Sequence, residues 1–380
     1  MIYLDNAATS FPKAPGVVEA VTECLTRVAG NPQRSGHAPS LQASRLVYST
    51  RERLARLFNA ADSSRIAFTP NATDALNTAL RGMLRPGDHV VTTSIEHNAV
   101  ARPLRALEAD GVELTRVQCA STGELDVEEF ATELRDDTKL AVVVHASNIL
   151  GTILPIADLS AAAHEKSIPL LVDASQTAGH LPIDVQADGI ALLAFTGHKG
   201  LLGPQGTGGL YLAEGIDIDP LRRGGTGSRS GSDVQPDFLP DRFEGGTLNT
   251  PGIAGLGAAL EYIASEGLDR LRAHEIELTA VLLDGLGGAD GITVYGMPDA
   301  AARVGLVAFN IGDLDPAEVA DRLESAHGII SRPGLHCAPW AHATMGTLER
   351  GAVRLSVSPF TQPSQVEQAV DAARELAREH

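Results

Sequence analysis

Residues 188–214 read Asp188-GIALLAFTGHKGLLGPQGTGGLYLA-Glu214. Between the two acids, Lys199 is the only residue with a formal charge at pH 7, and the whole chain has four lysines: Lys13, Lys139, Lys166 and Lys199. Lys199 follows an apolar, strand-like run and precedes a glycine-rich turn. A lone ammonium in that setting is costly to bury unless it is used. The usual use is covalent, because a desolvated amine condenses with a carbonyl. A lysine at a strand end can also reach back to solvent along its own stem. This stretch alone leaves both readings open.

Outward from it, helix and strand signals alternate from about residue 16 to 215. Leu46, Thr50, Leu54 and Leu57 fall at helical spacing. Strands are expected at 65–70, 89–94, 112–118, 139–147, 169–175 and 189–195, with a helix at 73–84 and further helices between the strands. Apolar strands separated by amphipathic helices imply a mostly parallel sheet covered on both faces. Sites in such sheets lie at the carboxyl ends of the strands. Those ends carry polar groups here: Glu96-His97-Asn98, His145 to Asn148, Asp173 to Gln176, and Thr196 to Lys199.

From about 220 to 250 the chain is rich in Gly, Ser, Arg and Asp and reads as loop. Residues 251–288 read as helical. From about 290 the pattern becomes α+β, with strands near GITVY and RVGLVAFN, a helix at PAEVADRLESAHG and a strand at AVRLSVS. The last helix places Val366, Ala369, Val370, Ala373, Leu376 and Ala377 on one face. The domain division expected is 14–265 for a larger α/β part. A smaller α+β part covers 266–380 together with 1–13.

The chain has 380 residues, 43% of them hydrophobic, which suits a large globular core. A formal net charge of -18 without a basic cluster argues against nucleic acid as a partner. No apolar run approaches the roughly 18 residues needed to span a membrane. The start, MIYLDNAATSFPK, lacks the pattern of a signal peptide. Cys24, Cys119 and Cys337 are too widely spaced for a disulfide framework or a zinc site, so a reducing cytoplasm is the simplest compartment.

The candidate chemistry follows from residue types at these positions. A carbonyl cofactor for Lys199 is most commonly pyridoxal 5'-phosphate. Asp173, at a strand end, can cap a helix or pair with a pyridinium nitrogen. Gln176 is then within reach of a phenolic oxygen. Thr73 is a plausible helix N-cap, and helix N-termini bind phosphate; Thr196 and His198 could complete that cradle. His97 is either structural or a lid on a cofactor ring. Cys337, in SRPGLHCAPWAH, has Arg332 and His336 close in sequence, and nearby cations favour the nucleophilic thiolate. Arg354 is either simply exposed or a fork for a substrate carboxylate.

Taken in order, YLDNAAT, EHNA, ASNILG, VDASQ, TGHKGLLGPQGTGGLYL, FEGGTLNTPG, RPGLHCAP and VRLSVSPF resemble the class V aminotransferase-fold enzymes. The resemblance is greatest to the cysteine desulfurases and selenocysteine lyases, and it spans essentially the whole chain. It implies a pyridoxal phosphate-dependent transferase of fold type I, with a mostly parallel seven-stranded sheet in the large domain. By motif, Lys199 would hold the cofactor covalently, Asp173 would pair with the ring nitrogen and Gln176 would contact the phenolic oxygen. His97 would stack on the ring, and Thr73, Thr196 and His198 would bind the phosphate. Thr247 would reach the phosphate of the partner subunit in a homodimer. Asn148, Arg354 and Arg332 would bind substrate, with Arg354 on its carboxylate.

The activity implied is conversion of L-cysteine to L-alanine, with sulfur carried on Cys337 as a persulfide and passed to an acceptor protein or reduced. The 17 residues from Cys337 to Arg354 suit the short, SufS-like cysteine loop. Leu335 stands where a histidine is usual in that group. Selenocysteine lyase, with L-selenocysteine as substrate, and an aminotransferase or C–S lyase of the same fold remain as alternatives.

Overall fold

Strand residues alternate between two buried faces, and this alternation builds the larger layer of the fold. The computed structural model describes residues 1–28, 30–32 and 35–379. Val90, Leu140, Val142, Leu171, Leu192 and Leu210 pack into one apolar core with helices Ala72–Met83 and Asn98–Ala109. Val91, Ala141, Val143, Val172, Leu193 and Tyr211 point the other way, into a second core. Helices Ala38–Leu57, Ile156–Glu165 and Thr250–Glu266 cover that side. With both faces buried, the strands read as continuous apolar runs.

The sheet has seven strands, ordered 66–69, 208–212, 192–196, 170–173, 138–144, 89–93 and 113–117. Its neighbours are parallel except Gly208–Leu212, which runs antiparallel to both Ile66–Thr69 and Leu192–Thr196. That strand is absent from the sequence expectation because it opens with two glycines, which weaken a strand signal. The fold needs them. A Cβ on Gly208 would lie 2.8 Å from Asn71 Cα, and one on Gly209 would lie 2.4 Å from the Phe195 ring.

A second, four-stranded antiparallel sheet is ordered 332–334, 352–356, 306–311 and 292–295. Helices Leu268–Gly287, Pro316–His327 and Pro363–Arg378 back it through Leu282, Leu286, Val319, Leu323, Val366, Val370 and Leu376. The stretch read as helical over 251–288 forms two helices, broken at Gly267, whose φ of 84° belongs to the left-handed region. The chain start is tied into this part. Ile2–Tyr3 pairs in parallel with Ile329–Ile330, and Asp5 bridges to Ser356. Residues 213–249 form no helix or strand. Among the described residues no helix is long and apolar enough to cross a membrane.

Candidate active site

Four parallel strands end on the same side and deliver the polar residues named from the sequence. Thr93 leads to Glu96 and His97, Val144 to His145 and Asn148, Asp173 to Gln176, and Thr196 to His198 and Lys199. Thr73, His97, Asn148, Asp173, Gln176, Thr196, His198 and Lys199 line one cavity. Asn71 and Ala72, at the start of helix Ala72–Met83, complete its wall.

Inside this cavity burial dominates the electrostatics. It lowers the Lys199 ammonium to about 8, with Asp173 opposing the change and Arg354 and Arg332 adding to it. Asp173 is pushed upward by burial, against bonds from Ser175 and the charge of Lys199. Its Oδ1 accepts the Ser175 amide at 2.9 Å and the Ser175 hydroxyl. His97 caps helix Asn98–Ala109, its Nδ1 accepting the Ala99 amide at 3.0 Å. Burial and the nearby cations lower its pKa to about 3, so it is neutral and its free proton sits on Nε2. His198 is likewise lowered to about 4.

The residues present fit a polar, phosphate-bearing ligand. Asn148 Oδ1 and His198 Nδ1 line the cavity yet are buried without a hydrogen-bond partner, and leaving such atoms unpaired is costly. The free amides of a 12-residue helix open onto the same space. One expectation is corrected here. The N-cap of that helix is Asn71, whose side chain accepts the Asp74 amide at 2.9 Å; Thr73 lies inside the first turn and still lines the cavity.

Cys337 lies at an adjoining cleft, lined also by Asn77, Arg81, Asn98 and Arg102. Thr73, His97 and Ala99 line both spaces, so the two communicate. The thiol is exposed, with Arg332 Nη2 3.9 Å from Sγ. His336 and Cys337 adopt consecutive left-handed conformations, φ 52° and 56°, a strain of roughly 1–2 kcal/mol per residue. The Ala338 amide closes this turn on the Leu335 carbonyl at 2.8 Å, and two further hydrogen bonds tie it to neighbouring segments. Asn148 Nδ2 donates to the His336 carbonyl at 2.7 Å, and the Asn98 amide donates to the Cys337 carbonyl at 2.8 Å. His336 is not the cationic neighbour that its position in sequence suggested. It is buried, stacked on His342 with its Nε2 against the Arg332 carbonyl, and desolvation drives its pKa to about 2.

The sequence profile of "Aminotransferase class-V" matches residues 2–369. A probable cysteine desulfurase of Methanothermobacter thermautotrophicus is 36% identical over 383 residues, spanning 99% of this chain and 94% of that protein. A cysteine desulfurase of Escherichia coli O6:H1 is 35% identical over 348 residues, 89% of this chain and 84% of its own length. Among solved structures, the cysteine desulfurase of Thermococcus onnurineus superposes with a TM-score of 0.92 at 32% identity, covering 100% of this chain and 95% of that one. The chain belongs to the class-V aminotransferase family, in its cysteine desulfurase group. The E. coli cysteine desulfurase CsdA also shares the fold, with a TM-score of 0.89 at 28% identity over 100% of this chain and 94% of its own.

In this member of the class-V family, two further candidates, like Cys337 and Arg332, stand outside the Lys199 cavity. Thr247 is exposed and lines a separate pocket with Asp74, Arg222 and Asn249. Arg354 is fully buried and already engaged. Nη2 donates to Asp5 at 2.7 Å and Nη1 to the Asn148 carbonyl at 2.8 Å, while Nε is unpartnered. The sequence reading overlooked Asp5, because nothing local marks a contact across 349 residues. It placed Glu96 at a strand end but gave it no role; the side chain is 0% exposed beside His97. Glu96 Oε1 accepts the Thr93 hydroxyl at 2.7 Å and the Val144 amide at 2.9 Å, while Oε2 has no partner.

Proposed function

We propose that the chain is a pyridoxal 5'-phosphate-dependent cysteine desulfurase that releases L-alanine from L-cysteine and carries the sulfur on Cys337. The observation that supports it most is the exposed Cys337 on a cleft that shares Thr73, His97 and Ala99 with the cavity of Lys199. A simple amino-group exchange makes no use of a thiol on a cleft joined to the amine's cavity.

Bound cofactor would supply an electron sink for charge developing on the substrate. Lys199 would hold it, Asp173 would keep its ring nitrogen protonated, Gln176 would contact its phenolic oxygen and the neutral His97 would cover its ring. Thr73, Thr196 and His198 would take the phosphate beside the helix start, and Thr247 of a second copy would complete that site in a homodimer. Asn148, Arg354 and Arg332 would bind the substrate, with Arg354 on its carboxylate.

Lys199, neutral above about pH 8, is suited to take a proton from the substrate and later return one. The Cys337 thiolate attacks the substrate sulfur. A sulfur–sulfur bond forms, the carbon–sulfur bond breaks, and its electron pair stays with the three-carbon fragment until protonation yields alanine. An acceptor thiol, on a protein or a small molecule, then removes the persulfide sulfur. This assigns cofactor chemistry to the part spanning 14–265. The part spanning 266–380, with 1–13, brings in Cys337 and Arg354. A reducing cytoplasm would keep the three cysteines free, as they are here.

The test is alanine release from L-cysteine with a reductant present, for wild type and Cys337→Ala in parallel. Activity in the wild type that is lost in the variant is the expected result. Full activity in Cys337→Ala would remove the persulfide from the reaction.

A further inference from the structure

Lys13 lies in the segment that crosses from the small sheet to the lysine turn. Its Nζ donates to Thr9 Oγ1 at 3.3 Å, Ser10 Oγ at 3.1 Å and the His198 carbonyl at 3.2 Å. All three partners are neutral oxygens, and burial lowers the ammonium to about 8. A half-buried cation that gains no counter-ion from these contacts is costly, so its place calls for a reason.

The His198 carbonyl is the focus of this segment. Besides Lys13 it receives the Ser10 amide at 2.9 Å, Thr9 Oγ1 at 3.2 Å and Ser10 Oγ at 3.2 Å. That carbonyl belongs to the peptide unit joining His198 to Lys199. The turn is also closed internally, with the Leu202 amide on the Lys199 carbonyl and the Gly203 amide on the Gly197 carbonyl, both at 2.8 Å. Neither inner bond uses the peptide unit between His198 and Lys199. The outer donors from residues 9–13 fix it, and the charged one is the strongest of them. The same segment meets the site twice more. The Ala7 carbonyl accepts Gln176 Nε2 at 3.1 Å, and Asp5 holds Arg354.

We infer that Lys13 is a positioning residue for Lys199: its ammonium, on the His198 carbonyl, sets the peptide plane from which the Lys199 side chain enters the cavity. This rests on Lys199 being the functional amine, as in the proposed function, and not on which substrate is consumed. Lys13 touches no reacting atom.

The experiment compares purified, cofactor-loaded wild type with Lys13→Met and Lys13→Arg. Three quantities are read: amide hydrogen exchange in peptides covering 197–203, the pH midpoint of the bound cofactor's absorbance, and kcat and KM for alanine release. Lys13→Met is expected to speed exchange in 197–203 while the strands of the seven-stranded sheet keep their protection. It is also expected to move the absorbance midpoint and lower kcat by roughly tenfold or more, with KM within about twofold. Lys13→Arg restores most of each. If Lys13→Met does not fold, Lys13→Gln, a neutral donor of similar reach, is held to the same criteria. Unchanged exchange and absorbance would overturn the inference, as would loosening spread evenly over the chain. A wild type that releases no alanine, with exchange and absorbance still responding to Lys13, would defeat the desulfurase reading and leave this one standing.

Discussion

Arg354 and Asp5 form an ion pair at 2.7 Å between side chains that are 0% and 19% exposed. The pair joins the strand Ala352–Ser356 to the chain start and leaves the guanidinium a second bond to the Asn148 carbonyl. A substrate carboxylate reaching Arg354 therefore meets a group already held in orientation. Removing one partner of a buried pair costs about 3–5 kcal/mol, and the partial exposure of Asp5 points to the lower end. Asp5→Ala should lose about that much stability in urea denaturation. A second change, Arg354→Met, should recover part of it. A loss below about 1 kcal/mol for Asp5→Ala would mean that the pair is not structural.

Glu96 predicts a pH-dependent stability. Burial raises its carboxyl from the ordinary 4.5 to about 8, against the Thr93 and Val144 bonds. Between those values the folded chain binds a proton that the unfolded chain has lost. Its contribution to stability is complete below about pH 4.5 and is lost as pH rises through about 8. Glu96→Gln keeps the shape without the titration. Urea unfolding of both proteins at pH 5 and pH 9 should show the variant gaining on the wild type as pH rises. A constant difference would show that Glu96 titrates normally.

Lys199 predicts the pH dependence of cofactor loading. Its amine loses its proton at about 8 rather than 10.5, and only the neutral amine attacks a carbonyl. Loading of cofactor-free protein with pyridoxal phosphate, followed by absorbance, should accelerate through about pH 8 and level off above it. His97 and His198, lowered by burial to about 3 and about 4, add no step in that window. A midpoint near 10.5 would indicate an amine in contact with solvent.

Gly200 predicts a steric effect next to the lysine. A Cβ there would lie 2.2 Å from His180 Cδ2 and 2.5 Å from the Ala178 carbonyl oxygen. His180 cannot yield, because its Nδ1 is held 2.7 Å from Glu275 Oε1, on a carboxylate 1% exposed. Gly200→Ala should cost about 1–3 kcal/mol of stability and weaken cofactor retention, read by thermal unfolding and dialysis. Gly231→Ala, where a Cβ meets nothing within 4 Å, is the control.

Much of the site was legible because strand ends are local. An apolar run that stops at Asp173 or Thr196 places its polar residue at the sheet edge whatever the rest of the chain does. Chain order and the parallel-sheet rule then put His97, Asn148, Asp173, Gln176, Thr196, His198 and Lys199 on one side. The strand Gly208–Leu212 was not legible, since its glycines answer to Asn71 and Phe195, which are distant in sequence.

By itself, then, the sequence determined the α/β class, the parallel layers and the cluster of polar residues around Lys199, because these depend on periodicity and on short segments. Tertiary structure decided the rest. It turned His336 inward to a neutral stack, made Asn71 rather than Thr73 the cap, gave Arg354 to Asp5, and set Lys13 on the His198 carbonyl. Each of these depends on which groups lose water together, and that follows from contacts between segments far apart along the chain.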